Sequence, residues 1–285
     1  MRSTLYVPGD QPEKMVKALN SGADALILDL EDAVAPSSKE GARTAVCSFL
    51  AQFSGVAPAV WVRINQAELG RYDAAAVVSY GGLRVAGLFV PKVDSLAQLD
   101  AIDAAVQSAE AEIGIQPGSI QFCALIETAT GVLRSAELAL HQRVNRIAIG
   151  EADLSSELGV ELTPGDEREL LLARSMLVLA ASAAGIDPPI GPVSTNFRDL
   201  DAYRESTVAL KKLGFVGRSA IHPAQVPVIN EVFTPSEAEV VKALRLVELF
   251  ELAVSDGRGV CVDDHGKMVD EAVVRAARRT LLRVR

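Results

Sequence analysis

The chain has 285 residues, 49% of them hydrophobic but only 5% aromatic, and carries a formal net charge of -9. Its length is close to the roughly 250 residues of one (β/α)8 barrel, and an Ala-, Val- and Leu-rich composition of this size buries a core without staples. The acidic balance argues against a general nucleic-acid-binding surface, which needs basic stripes against phosphates, so an anionic ligand has to find a local cationic pocket.

In chain order, short β-branched runs alternate with helical patterns, the signature of parallel βαβ units. The expected strands are Thr4 to Val7, Ala25 to Leu30, Val60 to Ile64, Gly87 to Val90, Ile120 to Ile126, Arg146 to Ile149, Pro189 to Val193 and Phe215 to Ile221. Amphipathic stretches between them include Pro12 to Asn20, Leu96 to Glu112, Gly131 to His141, Asp166 to Ala184 and Asp199 to Leu213. Most open on Pro, Asp, Ser or Thr and close near Gly. Eight such strands close a TIM barrel more naturally than they build an open sheet. The seventh is the weakest, because Pro188, Pro189 and Pro192 crowd it. Beyond the eighth the alternation stops. Pro235 opens a long helix to about Val254, a Gly- and Asp-rich loop follows, and a basic helix ends the chain. The reading is therefore a barrel over residues 1–234 and a helical extension with a lid segment over 235–285. Gly266-Lys267-Met268-Val269-Asp270 ahead of a good helix start looks like that lid, against the common alternative of a frayed terminus.

Cys47, Cys123 and Cys261 stand far apart in no metal or redox motif and read as reduced thiols. The opening MRSTLYVPGDQ has no apolar signal core, and no run approaches the roughly 20 residues that span a bilayer. A soluble cytoplasmic protein without membrane partners is expected.

Two acidic residues carry the chemistry. Glu127 and Asp153 each follow an apolar run and emerge at strand C-termini, the rim where α/β folds place their active sites. Completed by backbone carbonyls and water, two such carboxylates suit Mg2+. The competing reading is that Glu127 caps the next helix and Asp153 N-caps another. The second strand ends in Asp29, Glu31 and Asp32. Asp29 and Asp32 read as caps or as groups orienting water around a metal, and Glu31 is open between that and a direct role. Arg63, with apolar alternate neighbours, should point into the barrel mouth, where its guanidinium meets a substrate carboxylate or pairs internally with Glu31 or Asp32. Lys92 at the fourth strand end raises a Schiff-base lysine, which should be desolvated, but its place after Pro91 and before Val93-Asp94 favours a surface or supporting position. His222 at the eighth strand end is a base or, equally, a loop-fixing hydrogen-bond donor. His141 and His265 read as ordinary exposed residues.

These segments share a resemblance. RSTLYVPGD, DALILDLEDAV followed by Lys39 and Ala42-Arg43, VRIN, FVPKV, LIETATG, IGEADLSSELG, LGFVGRSAIHPAQV and GKMVD together resemble the citrate lyase β-subunit-like family, with its citramalyl-CoA and malyl-CoA lyases, within the 2-oxo-acid aldolase superfamily. The resemblance covers essentially the whole chain. It implies a TIM barrel assembling as trimers or hexamers, Mg2+ on Glu127 and Asp153, and Arg63 on the substrate carboxylate. It further implies substrate or coenzyme A contacts from Tyr6, Lys14, Glu151, Ala152, Ile221 and His222, and an acid/base, Asp270, from a neighbouring subunit's lid. The implied activity is Mg2+-dependent cleavage or formation of a β-hydroxyacyl-CoA, with an acyl-CoA and a 2-oxo acid as the other partners. The alternatives are a CoA-independent 4-hydroxy-2-oxo-acid aldolase, and a citrate lyase subunit acting on an acyl-carrier-protein thioester.

Overall fold

The structure, a computed structural model, describes residues 1–53, 57–163 and 167–284. The chain divides into two compact units, Met1–Glu231 and Val232–Arg285.

In the first unit eight parallel strands close a barrel in sequential order: β1 (Ser3–Pro8), β2 (Ala25–Asp29), β3 (Ala59–Arg63), β4 (Gly87–Val90), β5 (Gln121–Ile126), β6 (Val144–Ile149), β7 (Ile190–Gly191) and β8 (Gly217–Ala220). All eight expected strands are present. The seventh shrinks to two residues, as its flanking prolines dictate, since they cannot donate to the ladder. The helices are α1 (Pro12–Ala18), α2 (Lys39–Gln52), α3 (Ala67–Gly81), α4 (Leu96–Glu112), α5 (Ala129–Leu138), α6 (Glu151–Leu158), α7 (Leu171–Ala184), α8 (Leu200–Leu213) and α9 (Gln225–Phe233). Helix α5 begins ahead of the expected Gly131, because Thr128 caps it by accepting from the Gly131 N–H at 2.9 Å. The expected start of α7 at Asp166 lies outside the described residues.

Side chains alternate across a strand, and that alternation builds the site. Ala25, Ile27, Trp61, Phe89, Cys123, Leu125, Ala148 and Ile190 pack together as the barrel interior. Continuing the same period by one step brings Asp29 above Ile27, Arg63 above Trp61 and Glu127 above Leu125. The polar floor of the mouth is thus the next layer of the apolar core.

The second unit holds α10 (Glu237–Ser255), a short hairpin of β9 (Cys261–Val262) with β10 (Met268–Val269), and α11 (Glu271–Leu281). Ser236 and Glu239 form a reciprocal capping box on α10, which satisfies two of its otherwise unpaired N–H groups. Phe250, Val269 and Val274 form this unit's own small core, with Leu246, Val247 and Cys261 packed against it. Among the described residues, no helix is long and apolar enough to cross a membrane.

Candidate metal and substrate site

A cavity of about 300 Å³ opens at the C-terminal rim of the barrel, lined by Asp29, Asp32, Arg63, Glu127, Glu151 and Asp153, with Tyr6, Ile221 and others completing its walls. It gathers residues from β1, β2, β3, β5, β6 and β8, so strand order and not sequence proximity assembles it.

Glu127 is 3% exposed. Burial, joined by the charges of Glu31 and Asp153, pushes its carboxyl up to about 8, against a hydrogen bond from the Lys92 N–H at 2.9 Å. Gly150 has to be glycine for this carboxyl to fit: a Cβ there would lie 2.4 Å from Glu127 Oε2 and 2.7 Å from Glu127 Cβ. Asp153 occupies the first turn of α6, where a negative charge is favoured by the helix dipole. Neither residue is a cap, since Thr128 caps α5 and Gly150 occupies the N-cap of α6. The capping alternative for both residues is therefore set aside.

Arg63 and Asp29 are register partners on adjacent strands. Their side chains meet in a bidentate pair, Nε to Oδ1 at 2.7 Å and Nη2 to Oδ2 at 2.6 Å. Nη1 stands 2.9 Å from Glu31 Oε2 and 3.6 Å from Asp32 Oδ2. Internal pairing therefore goes to Asp29 first, a partner the sequence reading did not give Arg63. These carboxylates raise the guanidinium pKa against the effect of burial. The Tyr6 ring lies beneath, 5.0 Å from the guanidinium carbon. Asp29 also accepts from the Glu31 and Ala33 N–H groups, the cap-like role expected of it. Burial raises the Glu31 carboxyl; Gln66 donates to its Oε1 at 3.0 Å. A guanidinium has five N–H groups, so Arg63 keeps donors for an incoming oxygen.

Of the two positions open to Lys92 the structure takes the supporting one: its Nζ stands 3.8 Å from both Glu31 Oε1 and Asp153 Oδ2, inside the acidic cluster. One expectation is corrected. His141 is buried and stacked on Phe122, with its Nε2 3.4 Å from Asp100 Oδ1 and its Nδ1 accepting from the Arg143 N–H. The buried cluster of Arg143 with Asp103 and Glu110 draws that loop inward. His265 is exposed, as expected. Glu151 lines the cavity but gives both carboxylate oxygens to Arg174, at 2.5 and 2.7 Å, while the neighbouring Ala152 is exposed in the wall.

A second cavity of about 600 Å³ is lined by Lys14, Lys17, Asn20, Ser21, His222 and Pro223. It shares Tyr6, Pro8 and Ile221 with the first. His222 stacks on Phe197, ring centroids 4.8 Å apart, and its Nδ1 accepts from the Ala224 N–H, which fixes the loop. Phe197 escaped the sequence reading. Asp270, in the second unit, caps α11 through Oδ1, which accepts from the Val273 N–H at 3.0 Å.

Residues 2–223 match the family described as HpcH/HpaI aldolase/citrate lyase. The chain belongs to this family. It is 34% identical over 283 residues to the citrate lyase subunit beta of Leuconostoc mesenteroides subsp. cremoris, covering 98% of this chain and 92% of that protein. It is 36% identical over 282 residues to a (3S)-malyl-CoA thioesterase of Cereibacter sphaeroides, covering 98% and 93%. A solved structure of the Mycobacterium tuberculosis protein CitE in complex with magnesium, acetoacetate and coenzyme A is similar with a TM-score of 0.76 and 29% identity, covering 99% of this chain and 97% of that one. The TIM-barrel assignment stands on both the strand topology and this likeness.

The donor set fits a hard divalent cation. Asp29, Glu31, Asp32, Glu127 and Asp153 outnumber the cations Arg63 and Lys92, leaving negative charge that a divalent ion offsets. Among the described residues no cluster of three or more His, Cys, Asp or Glu side chains is arranged as metal ligands. Mg2+ needs no such cluster, because it is commonly held by one or two carboxylates together with water and substrate oxygens.

Proposed function

We propose that this chain is a Mg2+-dependent carbon–carbon lyase that reversibly splits a β-hydroxyacyl-CoA into an acyl-CoA and a 2-oxo acid. The observation that carries the reading is the pairing of Glu127 and Asp153 with Arg63 on one cavity, adjoining a second cavity rich in cations. The first has the charge for a chelating 2-oxo acid and its ion. The second has Lys14, Lys17 and His222 for the phosphates of coenzyme A. Their shared wall of Tyr6, Pro8 and Ile221 suits one long substrate crossing from one to the other, which a CoA-independent aldolase has no use for.

Glu127 and Asp153 would hold Mg2+, which supplies Lewis acidity toward the carbonyl of the oxo acid. The N-terminus of α6, at Glu151 and Ala152, offers N–H groups without intrahelical partners to the oxo-acid carboxylate. In the joining direction Asp270, brought by a neighbouring subunit's extension, takes a proton from the α-carbon of the acyl-CoA to leave the thioester enolate. The enolate carbon bonds to the keto carbon, and Arg63 stabilises the negative charge that grows on the former keto oxygen before it is protonated. Loss of one preorganised donor of that kind commonly costs about 10² to 10³ in rate. In cleavage the same bonds break in reverse order. A homotrimer or hexamer in the cytoplasm completes the proposal.

The test is direct. Purified protein with Mg2+, acetyl- or propionyl-CoA, and glyoxylate, pyruvate or oxaloacetate should yield a hydroxyacyl-CoA for at least one pair. Glu127→Ala and Asp153→Ala should each lose Mg2+ and oxo-acid binding together while remaining folded. Normal affinity for both ligands in both variants overturns the metal assignment. Release of free CoA without carbon–carbon cleavage would point instead to hydrolysis of the thioester.

A further inference from the structure

Lys92 is built into the site more firmly than a strand-end lysine need be. It follows Pro91 beyond β4 with φ at +48°, the left-handed region that a Cβ disfavours. Such a conformation persists where the surroundings impose it, and here both ends of the residue are held. Its N–H donates to Glu127 Oε1 at 2.9 Å, and its carbonyl accepts from Gln98 Nε2 at 3.3 Å. The side chain thereby reaches Glu31 on one side and Asp153 on the other, each at 3.8 Å. Those separations are too long for hydrogen bonds. Glu31 is already engaged by Arg63 and Gln66, whereas the Asp153 side chain is 45% exposed and free to turn.

Resting on the assignment of Glu127 and Asp153 to Mg2+, we propose that Lys92 is a built-in rival of the divalent cation for Asp153, making firm metal binding depend on the oxo acid. An ammonium beside a ligand oxygen opposes the metal ion in two ways. It competes for the same carboxylate, and as a like charge it repels the incoming ion. An oxo acid entering with the ion brings negative charge that offsets the ammonium. Thermodynamic reciprocity then requires that each ligand tighten the other. Lys92 is in this sense a positioning residue, since it acts on the ion through Asp153.

Mn2+ serves as the probe, titrated by electron paramagnetic resonance with and without pyruvate into the wild type, Lys92→Met, Lys92→Gln and Glu127→Ala. Met and Gln keep a long side chain at the same backbone angle, so a melting curve for each is expected to match the wild type. Without pyruvate, both Lys92 variants should bind Mn2+ about three- to tenfold more tightly, the scale of a partly exposed ion pair. The extra tightening given by pyruvate should shrink in both. A purely structural role would weaken metal binding or leave it alone, so unchanged or weaker Mn2+ binding in the Lys92 variants overturns the proposal. Loss of pyruvate affinity with Mn2+ affinity unaltered overturns it too and makes Lys92 a substrate contact. If Glu127→Ala binds Mn2+ as the wild type does, the metal assignment itself fails.

Discussion

Gly150→Ala isolates the geometry of the proposed metal site without removing any of its charges. The backbone at Gly150, with φ -107° and ψ 89°, lies outside the left-handed region, so alanine has no conformational reason to fail there. The obstacle is steric. The new Cβ would stand 2.7 Å from Glu127 Cβ, about 0.8 Å inside the roughly 3.5 Å of a normal carbon–carbon contact. The clash with Oε2 could be relieved by turning the carboxylate, but the clash with the stem moves the whole side chain. Overpacking of this kind costs about 1 to 3 kcal/mol, and Mg2+ demands near-ideal octahedral geometry of its ligands. Mn2+ affinity, read by electron paramagnetic resonance or calorimetry, should therefore fall about 10- to 100-fold, the range seen when the setting of a metal ligand is disturbed. The protein should stay folded, with a modestly lower Tm. Wild-type Mn2+ affinity in a folded Gly150→Ala protein would refute the placement of Glu127 at the ion.

The raised Glu127 carboxyl makes a further prediction with a definite sign. Its folded pKa of about 8 exceeds the ordinary 4.5, so between those values the native state holds a proton that the unfolded state has released, and stability in EDTA should fall by about 1.4 kcal/mol per pH unit as pH rises through that window. Thermal melts across pH 5 to 8 read this slope, and Glu127→Gln should flatten it; an unchanged slope would move its origin elsewhere. By the same logic, calorimetry at pH 7 in buffers of different ionisation enthalpy should show close to one proton released on Mg2+ binding. Borohydride reduction in the presence of an oxo acid should leave the protein mass unchanged while EDTA stops turnover, and a stable adduct on Lys92 would replace the metal mechanism with a covalent one.

Period-2 alternation made part of the site legible: an apolar Ile27, Trp61 and Leu125 in one layer require Asp29, Arg63 and Glu127 in the layer above. The prolines around β7 announced its weakness in the same local way. Asp29 as the bidentate partner of Arg63 was not legible, because it depends on the register between β2 and β3, which no local window contains. The tie of Glu151 to Arg174 spans 23 positions and is likewise a product of packing. His141 misled because nothing in its local run, Leu140 to Gln142, marks it as buried, while Arg143 behind it is drawn into a buried pair of carboxylates. Which of its two positions Lys92 takes was not legible for a backbone reason: the side chain's direction depends on a left-handed φ that no local sequence pattern announces. The glycine before Glu151 was the overlooked signal, since a Gly joining a strand end to a helix asks what approaches it.

Asp270 offers the clearest separation of binding from chemistry. Its side chain caps α11 by accepting from the Val273 N–H, and asparagine is an equally good N-cap. Asp270→Asn should therefore preserve the extension and its Tm, removing only the group's capacity to exchange a proton. Mg2+ and oxo-acid affinities should hold, because every residue assigned to them belongs to the barrel, while turnover falls by about 10² to 10⁴, the usual contribution of a positioned acid or base. Whether the group acts in trans is decided by mixing chains under subunit exchange. Arg63 is a poor choice of partner variant, since losing its guanidinium strands the buried Asp29 charge, a change of the kind that costs about 3 to 5 kcal/mol. Glu127→Gln is better, being isosteric and resembling the protonated carboxyl that burial favours. If the extension of one subunit serves the barrel of another, Asp270→Asn and Glu127→Gln chains, each inactive alone, should together regain a fraction of wild-type activity through sites built from one intact barrel and one intact extension. Absence of rescue after demonstrated exchange would place the acid/base within its own chain, and full activity of Asp270→Asn alone would remove it from the mechanism.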